Sequence, residues 1–350
     1  MIFRQLFDGV SHSFTYLIGG GAGGEALIID PVLEKVDRYI QLLDELDLKL
    51  AKALDTHVHA DHITGLGALR DRTRCVTVMG RESRVDVVSM RVEDGDRIEV
   101  AGIVLEAIHT PGHTDDSYSF RMSDRVFTGD TLLIRGTGRT DFQNGDPWAA
   151  YDSLFNKLLT LPGDTLVYPG HDYKGDTLST IAEEKAHNPR LQVASAPEYA
   201  EIMNNLDLED PKMMDVAVPA NLSIGFSLSE PLLGDRTLFI GEALDWHGRT
   251  EVFFVDLREE GERRHDGVIP GSLHAPYRKL DEHVAPAGVL NALALQADKK
   301  LVLYCAFGER SALAVKTLHE AGVENVHHLG GGLAAWIKGG GRLAPPADDV

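Results

Sequence analysis

Thr56-His57-Val58-His59-Ala60-Asp61-His62 is the stretch that decides how this chain is read. Its seven residues hold three histidines and an aspartate, every one able to bind a metal ion. An apolar-leaning run, Leu50 to Leu54, precedes it and reads as a short strand. Ile63 to Leu69 follows and reads as the first turns of a helix. Side chains that leave a turn at a strand's carboxyl end converge on one point, as a metal site with open positions requires. A lone histidine there would be a solvated turn residue; H-x-H-x-D-H is not.

Upstream, Ser13 to Ile18 and Glu25 to Ile29 read as strands joined by Gly19-Gly20-Gly21-Ala22-Gly23-Gly24. The joint has the form G-x-G-x-x-G, but a strand follows where dinucleotide binding needs a helix, so a glycine hairpin is expected. Glu34 to Asp47 carries a helical stripe. Arg74 to Met79 reads as a strand, which makes Cys75 a packing residue. Downstream, Val92 to Val100 and Ile103 to Ile108 suggest a hairpin leading to His113. Ser117 to Met122 is a strand, Arg125 to Phe127 is another that ends at Asp130, and Leu166 to Tyr168 ends at His171. A strand, a tight turn and then a His or Asp recur, and that shared placement points to one site. Ala182 to Leu191 and Pro197 to Leu206 read as helices.

Leu222 to Asp235, with Pro231 and Gly234, reads as an inter-domain connection. The expected domains are 1–228 and 229–350. In the second, Val252 to Arg258 and Lys300 to Tyr304 are buried strands and Ser311 to Ala321 is an amphipathic helix. Between the last two lies Cys305-Ala306-Phe307-Gly308-Glu309-Arg310. A cysteine in a strand-to-helix loop faces backbone N–H groups and the positive helix end, which favour thiolate and hold an anion beside it. Gly308 permits a tight loop and Arg310 adds positive charge. A lone cysteine, by contrast, is more often a buried packing residue.

Composition bounds the function. The 350 residues suit two domains, and an apolar fraction of 43% can fill two cores. Net charge is 34 − 54 = −20, so no basic field drives binding to nucleic acid or anionic membrane. No apolar run approaches the roughly 20 residues of a spanning helix, and Met1-Ile2-Phe3-Arg4-Gln5 lacks the marks of a signal peptide. With only two cysteines far apart, no disulfide framework is expected, and the default compartment is a reducing cytoplasm.

The histidine-rich stretch, together with His113, Asp130 and His171 in that order, resembles the metallo-β-lactamase superfamily over about residues 1–220. The resemblance implies an αββα sandwich, within an α/β chain, with the metal site at one edge between two sheets. The superfamily has two metal arrangements. In binuclear zinc hydrolases such as hydroxyacylglutathione hydrolase, His57, His59 and His113 would hold one ion, Asp61, His62 and His171 the other, and Asp130 would bridge. In the second, His57, His113 and Asp130 alone form a facial triad suited to non-haem Fe(II), one ion per chain. His59, Asp61, His62 and His171 would then orient those ligands from behind through hydrogen bonds. Ile134-Arg135-Gly136-Thr137-Gly138-Arg139-Thr140-Asp141-Phe142-Gln143 resembles a segment of the persulfide dioxygenases, iron enzymes that oxidise glutathione persulfide with O2 to sulfite and glutathione. Two arginines beside a ligand strand can neutralise the carboxylates of an anionic thiol, which makes Arg139 the first substrate contact, with Arg135 and Tyr173 as further candidates.

Cys305 to Ser311 resembles the C-x-x-G-x-R-[ST] loop of single-domain rhodaneses, and Asp256 to Glu259, Ile269 to Ser272 and Leu329 to Trp336 fit the same family. Val268 departs from it, standing where many members have histidine. This resemblance implies an α/β domain with a mainly parallel sheet. It makes Cys305 the sulfur carrier, assisted by Arg310, with Ala306, Phe307, Gly308 and Glu309 around the transferred sulfur. The two halves together resemble persulfide dioxygenase–rhodanese fusion proteins. Expected small partners are glutathione persulfide, glutathione, thiosulfate, sulfite and O2, with no nucleic acid and no membrane; a homo-oligomer is left open. Two rivals stand beside this reading: a zinc thioesterase with a rhodanese-like appendage, and a non-catalytic sulfide sensor.

Overall fold

The computed structural model describes residues 1–350 except 86–87, 207, 209–212, 223, 225–232, 234, 286, 297–298 and 347–350. Most of Leu222 to Asp235, and the expected boundary at 228/229, lie outside the described residues. Contacts divide the chain into two compact units, Met1–Asp86 with Arg91–Gly225, and Val87–Met90 with Phe226–Val350. No helix among the described residues is long and apolar enough to cross a membrane.

The first unit holds two six-stranded sheets. One runs β1 (Ile2–Phe7), β2 (Phe14–Gly19), β3 (Glu25–Ile29), β4 (Lys49–Leu54), β5 (Val76–Gly80) and β6 (Met90–Val92), in that order. β1 to β3 pair antiparallel, then β3, β4 and β5 pair parallel. The glycine-rich joint therefore does turn a hairpin, between β2 and β3. The other sheet contains β7 (Arg97–Val100), β8 (Ile103–His109), β9 (Tyr118–Arg121), β10 (Arg125–Gly129), β11 (Leu166–Pro169) and β12 (Ser179–Thr180). β7 alternates exposed and buried residues, the mark of a sheet with one wet face, whereas β2 is buried throughout. The residues of interest leave the carboxyl ends of β4, β8, β10 and β11. Helix Met214–Leu222 was not legible in the sequence, because Pro219 sits inside it.

The second unit is built on a sheet ordered β13 (Thr237–Leu238), β17 (Val326–Leu329), β16 (Lys300–Tyr304), β14 (Val252–Asp256) and β15 (Leu273–His274), all parallel. Strand alternation sends β16 into two cores. Leu301 and Leu303 pack with Val255, Ala312, Val315 and Leu318, whereas Val302 and Tyr304 pack with Phe254, Leu333 and Trp336. Both faces are covered, which explains why this strand reads as a continuous apolar run.

Asp256, at the end of β14, is fully buried with Arg258. Its carboxylate accepts from Arg258 N at 3.0 Å, Nε at 3.0 Å and Nη2 at 2.7 Å, and from the Tyr304 hydroxyl at 2.9 Å. Removing one partner of a buried pair leaves the other charge uncompensated, at a cost of about 3–5 kcal/mol. Asp256→Ala should lower the stability of this unit by that amount, read from the urea midpoint of Trp246 and Trp336 fluorescence. A loss below about 1 kcal/mol would show that water or another carboxylate takes over Arg258.

Candidate metal centre and cysteine loop

β3 ends at Asp30, whose carboxylate is buried and reaches across to the loop after β4. Asp30 Oδ1 accepts from Thr56 N at 2.6 Å, and Oδ2 accepts from Thr56 Oγ1 at 3.0 Å. The single O–H of Thr56 is donated to Asp30, so the hydroxyl oxygen accepts from His57 Nδ1 at 2.9 Å. The His57 tautomer is thereby fixed, with the Nε2 lone pair free. His113 reaches the same state by another route: its Nδ1 donates to the Arg139 carbonyl at 2.8 Å. Donor atoms of His57, His113 and Asp130 all lie within 4.8 Å of one another. Burial holds His57 well below its ordinary pKa, reinforced by the neighbouring imidazoles of His59 and His113, so it stays a neutral ligand. Two imidazoles and a carboxylate on one point fit a divalent transition metal.

The other histidines are held differently. His171 places Nδ1 2.6 Å from Asp130 Oδ1 and Nε2 2.9 Å from Asp61 Oδ2. Burial opposes its charge, but the two carboxylates, Asp130 first, overcome it and raise the pKa well above the ordinary value. The same contacts carry Asp130 and Asp61 below the usual carboxylate range despite their burial. His62 Nδ1 lies 2.8 Å from Asp61 Oδ2. His59 turns Nε2 to Asp30 Oδ1 at 3.2 Å, and falls in clusters with Asp61 and His62 and with Asp30 and Asp55. Burial pulls His59 down, yet Asp30 and Asp55 lift it to about 9.

Close packing holds the trio in place. A Cβ on Gly138 would lie 2.2 Å from the Asp130 carbonyl and 2.8 Å from His113 Cγ, so only glycine lets this segment pass behind two ligands. Gly129 has φ +49°, and a Cβ there would meet Thr56 Oγ1 at 2.6 Å. Asn221, buried on helix Met214–Leu222, donates to the His59 and His62 carbonyls at 2.9 Å each and accepts from Thr64 N at 2.8 Å. Asn221, Asp30 and Thr56 were not singled out from the sequence. Asn221 stands about 160 positions from its partners and carries no local signal.

The arginine-bearing segment is held by acidic partners. Arg135 gives its backbone N–H and guanidinium to Glu184 (N at 2.9 Å, Nη1 at 2.5 Å) and also pairs with Glu183, so it braces helix Ile181–His187. Arg139 forms a fork onto Asp141 at 2.6 and 2.7 Å and lies over the Phe142 ring, while its carbonyl orients His113. Tyr173 is 67% exposed and stacks on His171.

Cys305 ends β16 in the second unit and is fully buried. Its Sγ accepts from Gly308 N at 3.1 Å, with Ser311 Oγ at 3.8 Å. Gly308, at φ +100°, turns the chain into helix Glu309–Glu320, whose amino end faces the sulfur. Leu333 N and Ala334 N bond the Cys305 and Ala306 carbonyls from behind. Ala306 and Phe307 are partly exposed, whereas Glu309 and Arg310 are buried. Arg310 forks onto Glu262 at 2.8 and 2.6 Å. Burial opposes its charge, but Glu262 and then Cys305 raise its pKa further. The expected free positive charge is thus shared with a carboxylate, and the backbone N–H is the direct contact to sulfur.

Paired mixed sheets carrying candidate metal ligands at their strand ends define the metallo-β-lactamase class. The model for the Metallo-beta-lactamase superfamily matches residues 8–171, and that for the Rhodanese-like domain matches residues 240–338. Over 228 residues the chain is 48% identical to the Persulfide dioxygenase ETHE1, mitochondrial, of Homo sapiens, covering 64% of this chain and 89% of that protein. It is 56% identical to the crystal structure of ETHE1 from Myxococcus xanthus, with a TM-score of 0.63, covering 65% of this chain and 100% of the other. A Hydroxyacylglutathione hydrolase of Rhodopseudomonas palustris (strain BisA53) is 35% identical over 196 residues, 55% of this chain and 75% of that protein. The chain belongs to the ETHE1 family of the metallo-β-lactamase superfamily and carries a C-terminal rhodanese-like domain.

Thr56→Val keeps the shape of the side chain and removes the hydroxyl that sets the His57 tautomer. Loss of such an outer partner should weaken metal binding roughly 10–100-fold. Competition with a chelator measures it, and unchanged affinity would mean that Thr56 does not orient His57.

Proposed function

We propose that the chain joins two sulfur reactions, Fe(II)-dependent oxidation of glutathione persulfide in the first unit and sulfane-sulfur transfer through Cys305 in the second. One observation carries the first half. His57, His113 and Asp130 share one point, whereas His171, a ligand of the second ion in the hydrolase arrangement, has both nitrogens against carboxylates. Two histidines and one carboxylate are the donor set of non-haem Fe(II) oxygenases. The named activity of the ETHE1 relatives supports this reading. When bound, iron supplies one-electron chemistry and open positions for the substrate sulfur and O2.

The chain's own residues do the rest. His57 and His113 each use Nδ1 in a hydrogen bond and leave Nε2 available, and His171 keeps the far oxygen of Asp130 bonded. Phe142 lies 5.7 Å edge-on to His113 and makes an apolar wall beside it. Arg139 and Tyr173 are the substrate contacts, the arginine exchanging Asp141 for a glutathione carboxylate; Arg135 stays a brace. Glutathione persulfide, O2 and water give glutathione, sulfite and two protons.

In the second unit the Cys305 thiolate attacks the outer sulfur of thiosulfate. A Cys S–S bond forms, the thiosulfate S–S bond breaks, and sulfite leaves with the electron pair. Glutathione thiolate then takes the outer sulfur and frees Cys305. The Gly308 N–H and the helix amino end hold the anionic sulfur throughout. Run in reverse, persulfide and sulfite give thiosulfate.

Iron-loaded full-length protein should bind about one iron per chain and consume O2 with glutathione persulfide. Asp130→Ala should lose iron and O2 uptake but keep thiosulfate:glutathione transfer. Cys305→Ser should do the converse, and thiosulfate treatment should add about 32 Da to the wild-type Cys305 peptide. Two zinc ions per chain with thioester hydrolysis and no O2 uptake would put the hydrolase in its place. Sulfur on Cys75, or transfer surviving Cys305→Ser, would overturn the second half.

A further inference from the structure

The second ligand cluster, Asp61, His62 and His171, contains a fourth group that belongs to no motif. The Ser13 hydroxyl lies 3.0 Å from Asp61 Oδ2, 3.2 Å from His62 Nδ1 and 3.3 Å from His171 Nε2. It is also 2.6 Å from Ser11 Oγ, which in turn donates to Asp8 Oδ2 at 2.7 Å. Ser13 is buried at 1% exposure and cannot swing aside. It forms a β-bridge with His171, its carbonyl accepts from Asp8 N at 2.9 Å, and the next amide, Phe14 N, donates to Gly170 O at 2.7 Å.

We infer that Ser13 makes the centre mononuclear, by locking Asp61 and His171 into a hydrogen-bonded cluster that a second metal ion would have to break; of the three side chains, His62 keeps one buried ring nitrogen, Nε2, without a partner. The inference rests on the one-ion reading above. An ion bound by oxygen and imidazole needs each donor lone pair at about 2.0–2.2 Å. Asp61 Oδ2 already meets the Ser13 hydroxyl, His62 Nδ1 and His171 Nε2, all within 3.0 Å. An entering cation must displace those contacts and leave a buried hydroxyl without them, while the bridge to His171 fixes the backbone that carries it. All three residues of the second site are therefore present, and a serine 48 positions before Asp61 and 158 before His171 decides whether they can be used. Ser13 is a positioning residue: it acts through the three side chains it holds.

Metal-free full-length protein titrated with Zn2+, with bound metal counted by mass spectrometry, tests this directly. Wild type should bind one equivalent. Ser13→Ala and Ser13→Gly should bind two, Ser13→Thr, which restores the hydroxyl, should return to one, and Asp61→Asn added to Ser13→Ala should also return to one. Circular dichroism confirms that each protein is folded; Ser13→Ala removes a single oxygen and Ser13→Gly provides a second variant. Two equivalents in wild type would overturn the mononuclear reading itself. One equivalent in wild type and also in folded Ser13→Ala and Ser13→Gly would overturn the role of Ser13 alone. Fewer than one in those variants would likewise overturn it, by showing that Ser13 supports the first ion.

Discussion

The first unit depends on the buried carboxylate of Asp30. A carboxylate away from water is costly unless its oxygens are filled, and here they are filled by the amide and hydroxyl of Thr56 and by His59. That one requirement ties the end of β3 to the loop after β4. It also sorts the motif's histidines: through Thr56 it turns His57 towards the metal point, and by direct contact it turns a His59 nitrogen away. Asp55 joins the cluster under burial, which raises it to about 7 even against the opposing His59. His59 Nδ1, on the other side of the ring, is left buried without a partner.

The two units solve the problem of buried charge in different ways. Around the metal point, acids and imidazoles alternate, so that Asp130, His171 and Asp61 form a continuous row. The cysteine loop has no such row within contact of the sulfur. Its direct donor is a backbone amide at a left-handed glycine, and the nearby guanidinium of Arg310 is tethered to Glu262. An amide has no protonation equilibrium, so that contact to the sulfur is set by backbone geometry, with the Ser311 hydroxyl beside it.

Much of this was legible in the sequence because it is written in short-range order. H-x-H-x-D-H, the repeated strand-then-ligand pattern, the glycine hairpin and the apolar run of β16 are each local. The fates of the arginines were not legible. Arg135 finds Glu184 forty-nine positions later, and Arg310 finds Glu262 forty-eight positions earlier. Basic residues beside a site promise free charge until their counter-charges are located in space. Ring orientation was hidden for the same reason: which nitrogen faces the metal point depends on Thr56, Asp30 and a carbonyl of Arg139. Helix Met214–Leu222 was obscured by its internal proline, and with it the role of Asn221.

Asn221 has a consequence for the order of events during synthesis. His59 and His62 leave the ribosome early, but the side chain that clasps their carbonyls follows 162 and 159 residues later. At about 5–20 residues per second, roughly 8–30 s of translation separate the two. In that interval the nascent chain displays histidines and acids on a loop whose closing clamp does not yet exist. The metal centre is therefore a late product of elongation, completed only as the last helix of the first unit is laid down.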